Sequence, residues 1–354
     1  MTTVASEQPR FLHRPKHHQA LLIALALTLQ LAAAAGVADI AGFHSVALAA
    51  EHFDPAWLLG VAGGLLVSFV GYHFAYQGIF KAGGQPLLSP SQLRAVVCAG
   101  FGGFLAHSGA AVDHYALRAA GAGERQARIR VWALGGLEHG LLSILGLLAS
   151  VVVLVLGYHS PPANVTLPWA VIPLPGFLVA FYLARRFGPN LRERPGWRGV
   201  AGDFLGAISF IRRLFERRSE WSSLLGMELF WIADGFAAWA ALACFGYHMN
   251  GARLAVGLAT GAVFTRRTGP LAGSGVLSLV LPLTLWYSGA PLPIALLGIF
   301  LFCLISVWVP MPVSFAALRT LRRLGDKPAA RGEPEPSHSS DQEAESKRVA
   351  GTTG

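Results

Sequence analysis

Val263–Leu279 reads VFTRRTGPLAGSGVLSL. Two adjacent arginines, a proline and two glycines stand between the apolar runs Leu254–Phe264 and Gly275–Ser288, and a third glycine opens the second run. Eleven helical residues rise roughly 16 Å at 1.5 Å each, about half of the ~30 Å hydrocarbon core of a bilayer. Neither run crosses a membrane alone. A cationic, helix-breaking loop between two half-length helices reads as a re-entrant hairpin with its loop near the midplane.

The surrounding chain is of membrane grade. It has 354 residues, of which 13% are charged, about half the share of a soluble domain, and its mean hydropathy is +0.50. Ala20–Ala38, Ala56–Phe80, Leu141–Leu167 and Thr268–Leu318 hold no Asp, Glu, Lys or Arg, and each is long enough for a spanning helix. The fold class expected is an all-α polytopic membrane protein with about six full transmembrane helices and two re-entrant hairpins. Three domains follow: a cytoplasmic N-terminal segment 1–17, a transmembrane body 18–323, and a tail 324–354. The tail carries more acidic than basic residues and few apolar ones, so it is expected to be disordered and cytoplasmic.

Lys and Arg mark the cytoplasmic side and orient the spans. Arg10, Arg14 and Lys16 place the N-terminus inside. The start FLHRPKHHQALLIALALTLQLAAAAG resembles a signal peptide. The length of its apolar run and the lack of a polar mature domain after it favour an uncleaved first helix at about 18–36. A second span, about 56–80, returns to Lys81 and Arg94. Ala95–Leu117 then lies between two basic clusters, and its run of glycines and polar residues reads as a hairpin entered from the cytoplasm. Spans at about 131–157 and 167–187 follow, the latter kinked by Pro173 and Pro175. In GVAGDFLGAISFIRRLFERRSEW the residues Phe204, Ile208, Ile211 and Phe215 share one helical face while Arg213 and Arg217 face away. That segment reads as an amphipathic helix on the cytoplasmic surface. Spans at about 221–246 and 291–317 enclose the second hairpin, which enters from outside. One hairpin opens from each side, the arrangement of inverted-repeat transporters whose site lies where broken helices meet; no letter-for-letter repeat is present between the halves.

The pattern RRTGPLAGSGVLSLVLPLTLWYSGAPLPIALLGIFLFCLISVWVPMPVSFAAL resembles the closing signature of the lysylphosphatidylglycerol synthase/flippase membrane region. That signature is a Gly-rich loop, an apolar half-helix, a Gly-x-Pro turn and a long final helix with Trp and Pro. GFLAHSGAAVDHYALRAAG and GMELFWIADGFAAWAAL are similar to two earlier segments of it, in the same order, over roughly residues 18–323. The resemblance implies a plasma-membrane protein that moves an anionic or aminoacylated phospholipid, or a polyprenyl-phosphate lipid, between leaflets. Full-length members carry a soluble aminoacyl-transferase domain after the membrane region, where this sequence reads only the charged tail. Lysine attachment by that route is therefore not expected. Many relatives also place Glu shortly after the Gly-rich loop, where this chain has Gly275-Val276-Leu277-Ser278, so the lipid is not carried over.

Several residues are candidates for the work. Charges deep in hydrocarbon cost at least about 2.5–3.5 kcal/mol and face a cavity or a partner. Arg266 and Arg267 offer planar forks that match phosphate oxygens, and Gly269, Gly273 and Gly275 offer bare N–H groups to the same anion. The competing reading puts these arginines at the membrane surface. Asp234, midway along its span, is a counter-ion or gate, or else a polar residue satisfied within the bundle. Glu228 is a weaker candidate. Glu138 pairs with Arg118 or Arg130, or serves transport. Asp113 and Arg118, with His107 and His114, form the matching half of a pathway or a local ion pair that stiffens the first hairpin.

Other classes find little support. Cys98, Cys244 and Cys303 lack metal or disulfide spacing, and no phosphate loop, dinucleotide fingerprint or nucleophile elbow is present. No cofactor, metal or nucleic acid is expected. The competing functions are a membrane-embedded lipid-modifying transferase and a scaffold for a separately encoded enzyme.

Overall fold

The computed structural model describes residues 16–81, 88–101, 109–159, 161–192, 194–262 and 277–325. These residues are mainly helical, without a strand. Six helical stretches among them are long and apolar enough to cross a membrane: Ala20–Ala41, Trp57–Lys81, Glu124–Val155, Ala163–Leu191, Trp221–Ala243 and Leu292–Leu321. They are the six spans expected from hydropathy, and the protein is an all-α, multi-pass membrane protein. The expected disorder of the tail concerns residues almost wholly outside the described ones.

At the centre, α3 (Trp57–Lys81) packs along α10 (Trp221–Ala243), the most extensive helix pairing of the fold. Small residues let the two backbones meet. A Cβ on Gly71 would stand 2.6 Å from the carbonyl oxygen of Gly226, and a Cβ on Gly226 would stand 2.7 Å from that of Gly71. Gly64 meets Ala237, Gly60 meets Ala240 and Gly78 meets Ser223. The partner's number falls as the α3 number rises, so the helices run antiparallel. Close backbone approach replaces hydrophobic burial as the adhesive, because lipid tails are as apolar as the side chains.

Both hairpins exist as pairs of short helices. α4 (Pro90–Phe101) packs on α5 (Gly109–Ala119), and α11 (Gly251–Ala262) packs on α12 (Leu277–Tyr287). Each has 11 or 12 residues, or roughly 16–18 Å of helix, short of a crossing. α11 leans on the long α6 (Glu124–Val155). α4 leans on α14 (Met311–Gly325), the end of the last span. Exchanging α3 with α10, one hairpin with the other, and α6 with the last span preserves these pairings. α3 and α10 are antiparallel, so the two halves are related by inversion at the level of packing although their letters do not repeat.

Three features depart from a plain helix count. The fourth span bends at Ile172 between α7 (Ala163–Val171) and α8 (Pro173–Arg192), where Pro173 removes a backbone donor. The last span is broken by a π turn, Leu304–Trp308, between α13 (Leu292–Cys303) and α14. A short helix α2 (Phe43–Ala50) follows α1 (Lys16–Ala41), in a segment read from sequence only as an external connection. α1 packs on α12 and α13, and its buried Gln30 accepts a hydrogen bond from Trp308 Nε1 at 2.6 Å. The first apolar segment thus has a place in the bundle.

The amphipathic helix is α9 (Trp197–Glu216), packed on α8 and α6. Phe204 and Phe215 are exposed, as an interfacial helix requires, while a different face holding Asp203, Ala207, Phe210 and Leu214 is buried against the protein. Asp203, 1% exposed, fastens it. It accepts from Arg125 Nε at 2.6 Å and Arg128 Nη2 at 2.7 Å. No feature of the sequence had singled out this clamp.

By the parity of six spans, Lys81, Arg94, Arg118–Arg130, Arg185–Arg218 and the last turns of α14 all lie at one end of the bundle. Arg253 lies at the other end, where its Nε donates to the Ser288 carbonyl at 2.8 Å and ties the start of α11 to the end of α12.

Candidate functional site

The site is built along one stripe of α3. Ser68, Tyr72 and Tyr76 recur every fourth residue, which places them one above another on a helix. Each addresses a carboxylate from a different element. Ser68 Oγ donates to Asp234 Oδ1 of α10 at 3.5 Å, a long contact. Tyr72 Oη donates to Glu138 Oε2 of α6 at 3.1 Å. Tyr76 Oη donates to Asp113 of α5, at 2.8 Å to one oxygen and 2.9 Å to the other. The two tyrosine rings lie 5.0 Å apart, and Phe230 covers Tyr72 at 4.8 Å. One turn further on, Phe80 packs on Tyr76 and its carbonyl accepts from Arg130 Nη1 at 2.8 Å. Three acidic side chains inside a membrane bundle are therefore gathered onto one helix face.

Glu138 and Asp234 also share a cavity of about 500 Å³ among α6, α10, the second hairpin, α13 and the π turn. Leu142, Trp231, Leu258, Leu281 and Phe302 make its wall mainly apolar, and Ser306 of the π turn adds a hydroxyl. Trp231 closes over Glu138, donating Nε1 to its backbone carbonyl at 2.8 Å. Ile232 and Phe236 also line the cavity and are exposed. Its size and its few convergent polar groups suit a small ligand or headgroup.

The expected site residues separate into groups. Glu138 and Asp234 come together on the cavity. Asp113 belongs to the same α3 stripe, but does not line the cavity. Arg118 goes elsewhere: its Nε pairs with Glu124 at 3.2 Å and its Nη1 donates to the Ala122 carbonyl at 2.6 Å. Five residues along a helix put Asp113 and Arg118 about 140° apart, so the local ion pair expected between them has no geometry to form. Glu138 lies eight residues beyond Arg130 on the same helix, roughly 12 Å along its axis, and accepts from Tyr72 Oη. Glu228 is exposed and away from the cavity. His114 joins Arg118 at Glu124, 3.2 Å away. Arg266, Arg267, Gly269, Gly273, Gly275 and His107 lie outside the described residues.

The α3 residues were missed from sequence. Ser68, Tyr72 and Tyr76 sit in LLVSFVGYHFAYQGIF, and only their four-residue spacing within an apolar span marks them as inward-facing polar groups. Among the described residues no group of three or more His, Cys, Asp or Glu could hold a metal. Compared with protein-family profiles and with curated proteins, the chain finds no match in either.

Proposed function

We propose that this chain is a flippase-like transporter that moves the headgroup of a phospholipid, or of a polyprenyl-phosphate lipid, between leaflets while the acyl chains stay in the bilayer. One observation carries the reading. Carboxylates from two different spans, Glu138 and Asp234, stand on a mainly apolar cavity lined by full-length helices and a half-length hairpin. Acidic groups inside a membrane are costly and mark pathways by default. Broken helices at inverted halves are where alternating-access proteins bind their cargo. Acidic groups suit the amine of an aminoacylated headgroup, and Arg266 and Arg267, which follow α11 in the sequence, suit its phosphate. The order of motifs shared with the lysylphosphatidylglycerol synthase/flippase membrane region points the same way. By the positive-inside rule, the basic end and both termini face the cytoplasm, which fits residence in the plasma membrane.

The test is translocation of a headgroup-labelled lipid in liposomes carrying the purified protein. Asp234→Asn and the charge reversals Arg266→Glu and Arg267→Glu are expected to slow it at least about tenfold, roughly 1.4 kcal/mol of barrier. Wild-type rates in all three would remove the assigned site.

The placement of Glu138 and Asp234 on one cavity also meets the first requirement of a membrane-embedded transferase, an acid–base pair beside the headgroup. Product analysis with labelled lipid separates the readings, because transport leaves the lipid's covalent structure unchanged.

A further inference from the structure

Away from the carboxylate cavity, the basic end of the bundle holds two clefts that share a side chain. The larger, about 460 Å³, lies between the start of α6 and the end of α9, where Arg125, Arg130, Arg213 and Arg217 face a single carboxylate, Glu220. The smaller, about 250 Å³, lies between α8 and α9, where Arg185, Arg212 and Arg213 meet Ser209 and no acidic residue. Arg213 stands in the wall of both.

Internal pairing leaves this charge in excess. Asp203 is one carboxylate shared between Arg125 and Arg128. Arg212 pairs with Glu216, and Arg217 lies 3.7 Å from Glu220. Arg213 makes no ion pair among the described residues; its guanidinium lies over the Phe210 ring, 5.7 Å from the centroid. Arg130 is 4% exposed and donates Nη1 to the Phe80 carbonyl, so it forms the buried back of the larger cleft, and the excess charge rests on Arg213 and Arg185.

α9 decides what kind of anion fits. Its buried face packs on α6 and α8, while Trp197, Val200, Phe204 and Phe215 form a second face that is exposed and wholly apolar. Arg212 and Arg213 occupy the remaining sector. A helix lying in the interface with one face among acyl chains brings its basic sector to the depth of the lipid phosphates. A guanidinium fork matches phosphate oxygens better than any other side chain. We infer that these clefts bind the phosphate of an anionic phospholipid in the leaflet at the basic end. Arg213 is the contact common to both clefts, and the acyl chains run along the apolar face of α9. The site is separate from the Glu138–Asp234 cavity and does not depend on the transport reading.

The experiment is native mass spectrometry of the full chain released from micelles that contain phosphatidylglycerol, phosphatidylcholine or inorganic phosphate. Wild type should retain phosphatidylglycerol in preference to phosphatidylcholine. Arg213→Gln should weaken that retention about tenfold, and Arg213→Lys should recover part of it. Circular dichroism and gel filtration confirm that each variant is folded. If Arg213→Gln does not fold, Arg185→Gln at the exposed end of α8 gives the same readout. Equal retention of the two lipids, or undiminished retention in the folded variant, overturns the proposal. Phosphate adducts that displace phosphatidylglycerol would assign the clefts to a soluble anion and overturn the lipid source.

Discussion

Tyr76 of α3 donates its hydroxyl toward both oxygens of Asp113, at 2.8 and 2.9 Å, where the carboxylate has no exposure at all. The contact ties the first hairpin to the central helix. Tyr76→Phe keeps the ring's packing on Tyr72 and Phe80 but deprives a buried acceptor of one donor. That loss costs about 1–3 kcal/mol. A lower thermal midpoint in detergent, with an unchanged helical spectrum, is the expected result; an unshifted midpoint would mean that Asp113 does not need this hydroxyl.

The central pairing predicts a sharp contrast between glycines of the same helix. Gly71 has no room for a Cβ beside the backbone of Gly226, whereas Gly63 has nothing within 4 Å of the same position. Gly71→Val should force α3 from α10 and cost at least the 1–3 kcal/mol typical of overpacking, seen as lost yield of monodisperse protein. Gly63→Val should behave as wild type.

Asp203 predicts a local failure. Asp203→Asn leaves Arg125 and Arg128 facing each other over a neutral group. Both guanidiniums are partly in solvent, so the loss should stay below the roughly 3–5 kcal/mol of a fully buried pair. α9 should loosen from α6, and trypsin should cut faster at Arg212, Arg213 and Arg217. Arg125→Gln should be milder, because Arg128 still holds the carboxylate.

Glu138→Gln separates structure from function. The amide oxygen can still accept from Tyr72, so the thermal midpoint should hold, while the negative charge on the cavity is gone. Lipid translocation in liposomes should then fall at least about tenfold. A preserved rate at a preserved midpoint would confine Glu138 to a structural role.

Much of the architecture was legible in the letters. Long apolar runs with few or no charges set the six spans, and runs of half that length around Gly and Pro set the hairpins. Arg213 and the apolar repeat Phe204, Ile208, Ile211, Phe215 marked α9 as interfacial. The partners of the candidate residues were much less legible. Arg118 sits near Asp113 in sequence and pairs with Glu124; Glu138 was matched to arginines and bonds to a tyrosine sixty-six positions earlier. Asp203 drew no notice because a lone carboxylate in a basic segment has no pattern of its own.

The amino-acid sequence by itself determined which segments cross, which turn back and which end of the bundle is basic, because the energy of burying charge and bare backbone in hydrocarbon depends on local composition and length. Only the tertiary structure decided that Ser68, Tyr72 and Tyr76 each meet a carboxylate from a separate element, and that Glu138 and Asp234 share a cavity. Those contacts depend on how closely glycine-lined helices approach and on their rotation about their axes, which are set by packing between residues far apart in the chain.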